Sequence, residues 1–297
     1  MGEAGTRGLT FGTALRLGRV SNLPTVWTNV LAGLALSGAA FGPALFIVLC
    51  IAFSCFYIAG MYLNDAFDRE LDARERPERP IPAGAVSART VFAAGFGLLA
   101  AGWLILLGLC YGTTDGAGWR LPVIGLLLAG AIVLYDVWHK ANPLSPVLMG
   151  ICRMLVYIGA ALAAASTLPA DVALAAAVAL CYLIGLTYAA KQETLKRVAN
   201  LWPLGFLAVP ALYALWVAAS GVAGLVAALA FLAWGGYALS FLLRERADIP
   251  RAVVSLIAGI CLLDAVFVVG AGHDLLALVA LAAFGLTLAL QRRIAGT

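Results

Sequence analysis

Charge is what this sequence has least of. Asp, Glu, Lys and Arg make up 11% of its 297 residues and hydrophobic residues 63%, against roughly 25% and roughly half in soluble domains. That excludes an ordinary soluble globular protein and leaves a polytopic membrane protein. Paired cysteines are missing as well. Cys50, Cys55, Cys110, Cys152, Cys181 and Cys261 lie singly inside apolar runs, with no Cys-x-x-Cys, which argues against a disulfide framework or a thiolate metal site. The N-terminus shows no succession of charged region, apolar core and small-residue cleavage site, so no removable signal peptide is expected. The basic residues lie in short segments between apolar runs, and nucleic acid is not an expected partner.

What is present is a series of apolar runs of about 20 residues, the length that crosses a bilayer. They fall near 23–40, 43–63, 89–111, 120–138, 146–166, 169–190, 201–219, 222–243, 251–271 and 274–291. Their Ala and Gly content lets helix backbones approach closely. Residues 1–19 place Arg7, Arg16 and Arg19 among Leu9, Phe11, Leu15 and Leu17, an interfacial pattern. The expected fold is an all-α, polytopic transmembrane helical bundle of nine to ten spans. It forms a single membrane domain over 1–297, with the bundle over 20–291. Of the 19 Lys and Arg, 17 lie in segments on the N-terminal side of the membrane. The positive-inside rule then places both termini, and the loops after spans two, four, six and eight, in the cytoplasm. The expected location is a bacterial inner (plasma) membrane.

The loop after the second span concentrates the charge. Asn64–Gly84 holds Asp65, Asp68, Glu70 and Asp72, then Arg74, Arg76 and Arg79. On a helix continuing from the run before it, Asn64, Asp68 and Asp72 stand at i, i+4 and i+8 on one face, with Asp65 beside them. Such oxygen donors suit Mg²⁺, which takes one or two carboxylates and leaves its other positions to water and phosphate. The arginines suit phosphate through paired hydrogen bonds. The competing reading is a wet loop of mixed charge. After span four, Lys140 suits phosphate and Asp136 suits a cation or a substrate hydroxyl, while His139 reads as structural. After span six, the basic run with Lys191, Lys196 and Arg197 reads equally well as ordinary cytoplasmic charge. Within the spans, Arg153 and Asp264 each need a partner inside the bundle, and pairing with each other is one solution.

Asn64-Asp65, Asp68 and Asp72, followed by Arg79-Pro80-Ile81-Pro82-x-Gly84, resemble the first signature of the UbiA superfamily of intramembrane prenyltransferases. Tyr135, Lys140, Pro146 and Gly150 resemble its segment after span four, and Arg19 in RVSNLPTVW its arginine near the first span. The similarity runs from about residue 16 to residue 270. The resemblance implies a UbiA-like prenyltransferase fold and Mg²⁺-dependent transfer of an isoprenyl group from a prenyl diphosphate donor. The recipient would be a small-molecule acceptor, often aromatic, within the lipid bilayer. It implies Asn64, Asp65, Asp68 and Asp72 as metal ligands and Arg19, Arg79, Lys140 and Lys191 around the diphosphate. Asp68, Asp72, Lys140 and Tyr188 would be catalytic, and the aromatic faces of Tyr135, Trp138, Tyr157 or Tyr188 would face the prenyl cation.

Two features depart from the family pattern. Its second Asp-x-x-x-Asp, after Tyr188-Ala189, falls here on Gln192 and Lys196, with Glu193 the acidic residue nearby, and a further upstream Asp falls on Gly185. A tenth span is present where the family usually has nine. Both departures resemble its EboC-like branch. With the second acidic pair missing, Lys191, Lys196 or Arg197 is expected to neutralise the diphosphate. The alternative is a non-catalytic relative that binds or transports an isoprenoid or lipid-like ligand. Alcohol phosphatidyl transfer, a third class, lacks its Asp-Gly-x-x-Ala-Arg pattern here.

Overall fold

Proline and glycine set where the helices begin. In the computed structural model, which describes residues 9–112, 118–140, 142–195, 202–243 and 247–294, all regular structure among the described residues is helical. A short α1 (Phe11–Leu17) and a 3₁₀ turn (Val20–Asn22) lead into α2 (Leu23–Leu36), which has Pro24 in its first turn, where a missing N–H costs nothing. Then come α3 (Pro43–Phe67), α4 (Arg69–Glu75), α5 (Ala88–Gly112), α6 (Arg120–Trp138), α7 (Ser145–Ala164) and α8 (Ala170–Leu195). A second 3₁₀ turn (Trp202–Leu207) precedes α9 (Ala208–Ala218), followed by α10 (Val222–Ser240), α11 (Ile249–Gly270) and α12 (Asp274–Gln291).

Eight of these (α3, α5, α6, α7, α8, α10, α11 and α12) are long and apolar enough to cross a membrane. The other two expected spans are shorter than the run 23–40 and the run 201–219 suggest. The 14 residues of α2 rise about 21 Å, less than the roughly 30 Å of a hydrocarbon core, because the chain leaves the helix at Ser37 and turns through Gly38. The 11 residues of α9 follow the 3₁₀ turn that contains Pro203. An apolar run measures hydrophobicity, and a helix stops where the backbone turns. The interfacial segment is represented by α1, which packs Leu17 against Tyr62, Ala66, Val86 and Val91 and exposes Phe11; Arg7 lies outside the described residues.

Besides the small cluster around Leu17, two larger apolar cores are present among the described residues. One joins α3, α5 and α6 and the other joins α8, α9, α10, α11 and α12, with α2 and α7 contributing to both. α11 is the central helix of the second core and is almost wholly buried, whereas other long helices leave exposed apolar side chains such as Leu126, Leu225 and Leu275.

A polar network bolts α2, α7 and α11 together. The fully buried Asp264 accepts from Thr28 Oγ1 at 2.5 Å and Asn29 Nδ2 at 2.8 Å through Oδ2, and from the Tyr157 hydroxyl at 2.5 Å through Oδ1. Arg153 donates to Asn29 Oδ1 at 2.6 Å and Thr25 Oγ1 at 2.9 Å and stands over the Tyr57 ring. The two intramembrane charges therefore do not pair directly; Asn29 lies between them and serves one with its oxygen and the other with its nitrogen. On α7 it is Tyr157, one turn along from Arg153, that reaches Asp264, while Arg153 points to Thr25 and Asn29 of α2. Replacing Asp264 by Leu takes away the acceptor shared by Thr28, Asn29 and Tyr157 and the negative charge that offsets Arg153 across Asn29, and is expected to cost about 3 kcal/mol. Thermal unfolding in detergent reads this as a lowered Tm, partly restored when Arg153→Met is added. A wild-type Tm for Asp264→Leu would contradict the network's role.

Candidate functional site

The acidic turn keeps its helical spacing across a helix boundary. Asp68 closes α3 and opens α4, with φ −80° and ψ −3°, so it stays right-handed. The Asp68 N–H donates to the Asn64 carbonyl and the Asp72 N–H to the Asp68 carbonyl, both at 2.9 Å. Asn64, Asp68 and Asp72 thus remain one turn apart. Asp65 and Asp72 are buried, and Arg79 Nη1 reaches both, at 3.3 Å and 2.8 Å. Arg79 is turned back by a tight loop in which Gly84 N–H meets the Ile81 carbonyl and Ala85 N–H the Pro80 carbonyl. Gly84 takes φ +70° there, a conformation a Cβ disfavours.

Arg19 completes the group from the other side, with Nη2 3.1 Å from Asp65 Oδ1 and Nη1 3.6 Å from Met61 Sδ. It is the one non-glycine with positive φ (+40°) among the described residues. Its surroundings hold this left-handed backbone against its intrinsic cost of about 1 kcal/mol or more: besides the two side-chain contacts, the Tyr57 hydroxyl donates to the Arg19 carbonyl at 3.3 Å.

Asp68 faces a different pair of basic side chains. Lys140 Nζ lies 2.9 Å from its Oδ1 and His139 Nε2 3.5 Å from its Oδ2. The His139 ring stacks on Tyr135 with centroids 4.9 Å apart. Burial pushes the Asp68 carboxyl up, but the hydrogen bonds and charges of His139 and Lys140 outweigh it and hold it below its ordinary value. Lys191 donates to the Asn142 carbonyl at 3.0 Å, tying the end of α8 to the loop after α6. Three loops of the bundle therefore meet at one end, around three carboxylates and their cations.

Below them lies a narrow cavity of about 90 Å³ between α2, α3, α6 and α7, lined by Val26, Phe56, Ile132, Met149 and Val156 among others. Tyr57, Met61, Tyr135, Asp136 and Arg153 also line it, so it adjoins the charged cluster through Met61 and Tyr57, which both touch Arg19. Asn64 Nδ2 donates to Asp136 Oδ1 at 3.3 Å.

Arg19, Asp65, Asp68, Asp72, Arg79 and Lys140 are thus brought together, with Asn64 at the edge. Other expected residues fall elsewhere. Lys191 serves a backbone carbonyl, Tyr188 is half-buried on α8, and Arg74 is exposed. Of the aromatic faces, Tyr135 lines the cavity, whereas Trp138 is largely exposed and Tyr157 is committed to Asp264. Lys196 and Arg197 lie outside the described residues. His139, read from sequence as structural, is in fact a partner of Asp68, and Tyr57 was not singled out at all; the three-residue offset of His139 from Asp136 on the end of α6 was the available signal. Gly185 has a packing reason: a Cβ there would meet Leu207 Cγ at 2.7 Å, so a side chain at this position requires Leu207 to shift.

The Asp68 contacts carry a pH signature. Its folded pKa lies below the unfolded value of about 3.9, so the pairing stabilises the protein above that pH and the contribution is lost as pH falls through the folded pKa. The Tm difference between wild type and Lys140→Met is therefore expected to be full above about pH 4 and to shrink below it. A difference that stays constant through this range would contradict the pairing.

Comparison with known proteins identifies the family and the fold. Similarity to a digeranylgeranylglyceryl phosphate synthase of Ignicoccus hospitalis is 40% identity over 104 residues, 35% of this chain and 33% of that protein. The chain thus matches about a third of the length of such curated relatives. Among solved structures, one described as giving insight into digeranylgeranylglyceryl phosphate synthase in membranes superposes with a TM-score of 0.62 at 19% identity, covering 88% of this chain and 98% of that one. A UbiA homologue from Archaeoglobus fulgidus bound to GPP and Mg²⁺ superposes at 0.53 and 14% identity, covering 94% and 99%. At these identities the structural likeness shows the shared fold. Residues 25–248 match the profile of the UbiA prenyltransferase family, and that span, most of the bundle and the whole of the charged cluster beyond Arg19, places this chain in the family.

Proposed function

We propose that the chain is an integral-membrane prenyltransferase that takes an isoprenyl group from a prenyl diphosphate, with Mg²⁺, and passes it to a small-molecule acceptor. The observation that carries this is the meeting of Arg19, Arg79 and Lys140 with Asp65, Asp68 and Asp72 at the polar end of an apolar cavity. A diphosphate needs cations, its metal needs carboxylates, and its tail needs grease. All three requirements meet within one turn of α3 and the loops facing it.

The donor set fits Mg²⁺. Among the described residues no three His, Cys, Asp or Glu side chains form a closed metal cage, and Mg²⁺ characteristically takes few carboxylates and completes its shell with water and phosphate. Asn64, Asp68 and Asp72 would hold it, while Asp65, shared between two arginines, positions them. A UbiA homologue of the same fold is described with GPP and Mg²⁺ bound, which supports Mg²⁺ as the ion. Bound there, the ion supplies Lewis-acid stabilisation of the departing diphosphate.

The chain's own residues do the rest. Arg79 and Lys140 hold the phosphates by moving from the carboxylates they now neutralise, and Lys191 would join them only by releasing the Asn142 carbonyl. The cavity walls exclude the water that would capture a prenyl cation, and the Tyr57 and Tyr135 rings present π faces to it. At about 90 Å³ the cavity is smaller than one that takes benzene. Seating an isoprenoid tail therefore requires side chains such as Phe53, Phe56 and Met149 to swing aside. By the charge bias, the cluster and both termini face the cytoplasm, on a single multi-pass domain of the plasma membrane of a bacterium.

A carrier that binds the diphosphate without turnover is the second reading, favoured by the Gln192 and Lys196 that stand where acidic residues are expected. Both are separated by incubating purified protein with geranylgeranyl diphosphate and Mg²⁺ or EDTA. The expected result is Mg²⁺-dependent diphosphate release, reduced about 100-fold or more in Asp68→Ala. Binding without release would favour the carrier, and no binding would overturn both.

A further inference from the structure

Asp65, Asp68 and Asp72 each have a basic partner, but the fourth carboxylate of this region does not. Asp136, in the last turn of α6, is 4% exposed and lines the cavity. Its Oδ1 receives one long hydrogen bond, 3.3 Å, from the Asn64 amide. Its Oδ2 is buried with no hydrogen-bond partner. A buried carboxylate oxygen left open is unfavourable enough that it persists only where something fills it or the residue is needed for another purpose.

We propose that Asp136 is a ligand, together with Asn64 and Asp68, of the divalent cation that accompanies the diphosphate. This rests on the reading of the acidic turn as a diphosphate site. Three features of the structure converge on it. Asp136 can take a cation without first displacing an arginine or lysine, unlike Asp65, Asp72 and Asp68. It is joined directly to Asn64, whose backbone carbonyl holds the Asp68 N–H one turn on, so the three side chains come from adjoining turns of α3 and α6. The Asn64 amide needs only a half-turn about its terminal torsion to present its oxygen, in place of its nitrogen, to an ion beside Asp136. With Asp136 in the place given above to Asp72, two carboxylates and one amide oxygen form the sparse oxygen set that Mg²⁺ uses when phosphates fill the remaining positions. The ion would sit where the cluster meets the cavity, next to the phosphates and above the tail.

The test uses Mn²⁺ and geranylgeranyl S-thiolodiphosphate, an analogue that resists ionisation, with free Mn²⁺ followed by electron paramagnetic resonance. In Asp136→Asn the Mn²⁺ affinity of the analogue-bound protein is expected to fall about 10- to 100-fold, with Asp136→Glu recovering part of it. The melting temperature without metal is expected to hold or rise in Asp136→Asn, because a buried carboxyl with an unpartnered oxygen is removed, while the gain in melting temperature on adding Mn²⁺ and analogue shrinks. Wild-type Mn²⁺ affinity in Asp136→Asn overturns the proposal alone, and points to the acceptor as the partner of this carboxyl. A fall in the metal-free melting temperature with unchanged affinity makes the residue structural and overturns it equally. If wild-type protein binds no analogue with any metal, the diphosphate reading fails and this proposal with it.

Discussion

Two arginines on one carboxylate oxygen hold the charged end of this bundle in place. Asp65 Oδ1 meets Arg19 at 3.1 Å and Arg79 at 3.3 Å, one arriving from the segment before α2 and the other from the loop before α5. A carboxylate in the last turn of a membrane helix loses its hydration and must be paired, and removing one partner of such a pair is far more damaging than the pair is stabilising. The pairing also fixes geometry. It goes with a left-handed backbone at Arg19 and with the Arg79–Gly84 loop turned back on the helix, and it leaves Asp68 to Lys140 and His139. The strained backbone and the tight loop both serve to bring charge to Asp65.

Neutralisation before the ligand arrives has a mechanistic use. With Arg79 on Asp72 and Lys140 on Asp68, neither set of charges faces a low-dielectric cavity alone. A diphosphate with its cation can exchange with these pairs, carboxylates to metal and basic side chains to phosphate, so the net change in buried charge stays small. Deeper in the bundle the Arg153–Asn29–Asp264 chain applies the same constraint for stability. There the charges are satisfied through an intervening amide and hydroxyls, and α2, α7 and α11 are fixed against one another.

Much of this was legible in one dimension. Apolar runs bounded by Gly, Pro and charge place ten helical segments in order, because burial in lipid leaves the backbone no other way to satisfy its hydrogen bonds. The i, i+4, i+8 spacing of Asn64, Asp68 and Asp72 survives because Asp68 remains right-handed at the α3–α4 boundary. What was not legible depends on contacts between distant segments. Asn29 and Asp264 meet across more than two hundred residues, and no local pattern announces that an amide will stand between Arg153 and Asp264. The shortening of α2 and α9 reflects backbone turns that hydropathy does not register. His139 and Asp136 lie in the same turn at the end of α6, yet one reaches Asp68 and the other keeps an open oxygen; the sequence suited Asp136 to a cation or hydroxyl and read His139 as structural, because the contact to Asp68 comes from another helix.

The most direct test of the exchange of partners is an experimentally determined structure with Mn²⁺ and a non-ionisable prenyl diphosphate analogue bound. The account predicts Mn²⁺ density against the Asn64 and Asp68 side chains, Arg79 and Lys140 moved onto the phosphate oxygens, and Arg19 still on Asp65. An analogue seated elsewhere in the bundle, with the Arg79–Asp72 and Lys140–Asp68 pairs intact, would contradict it.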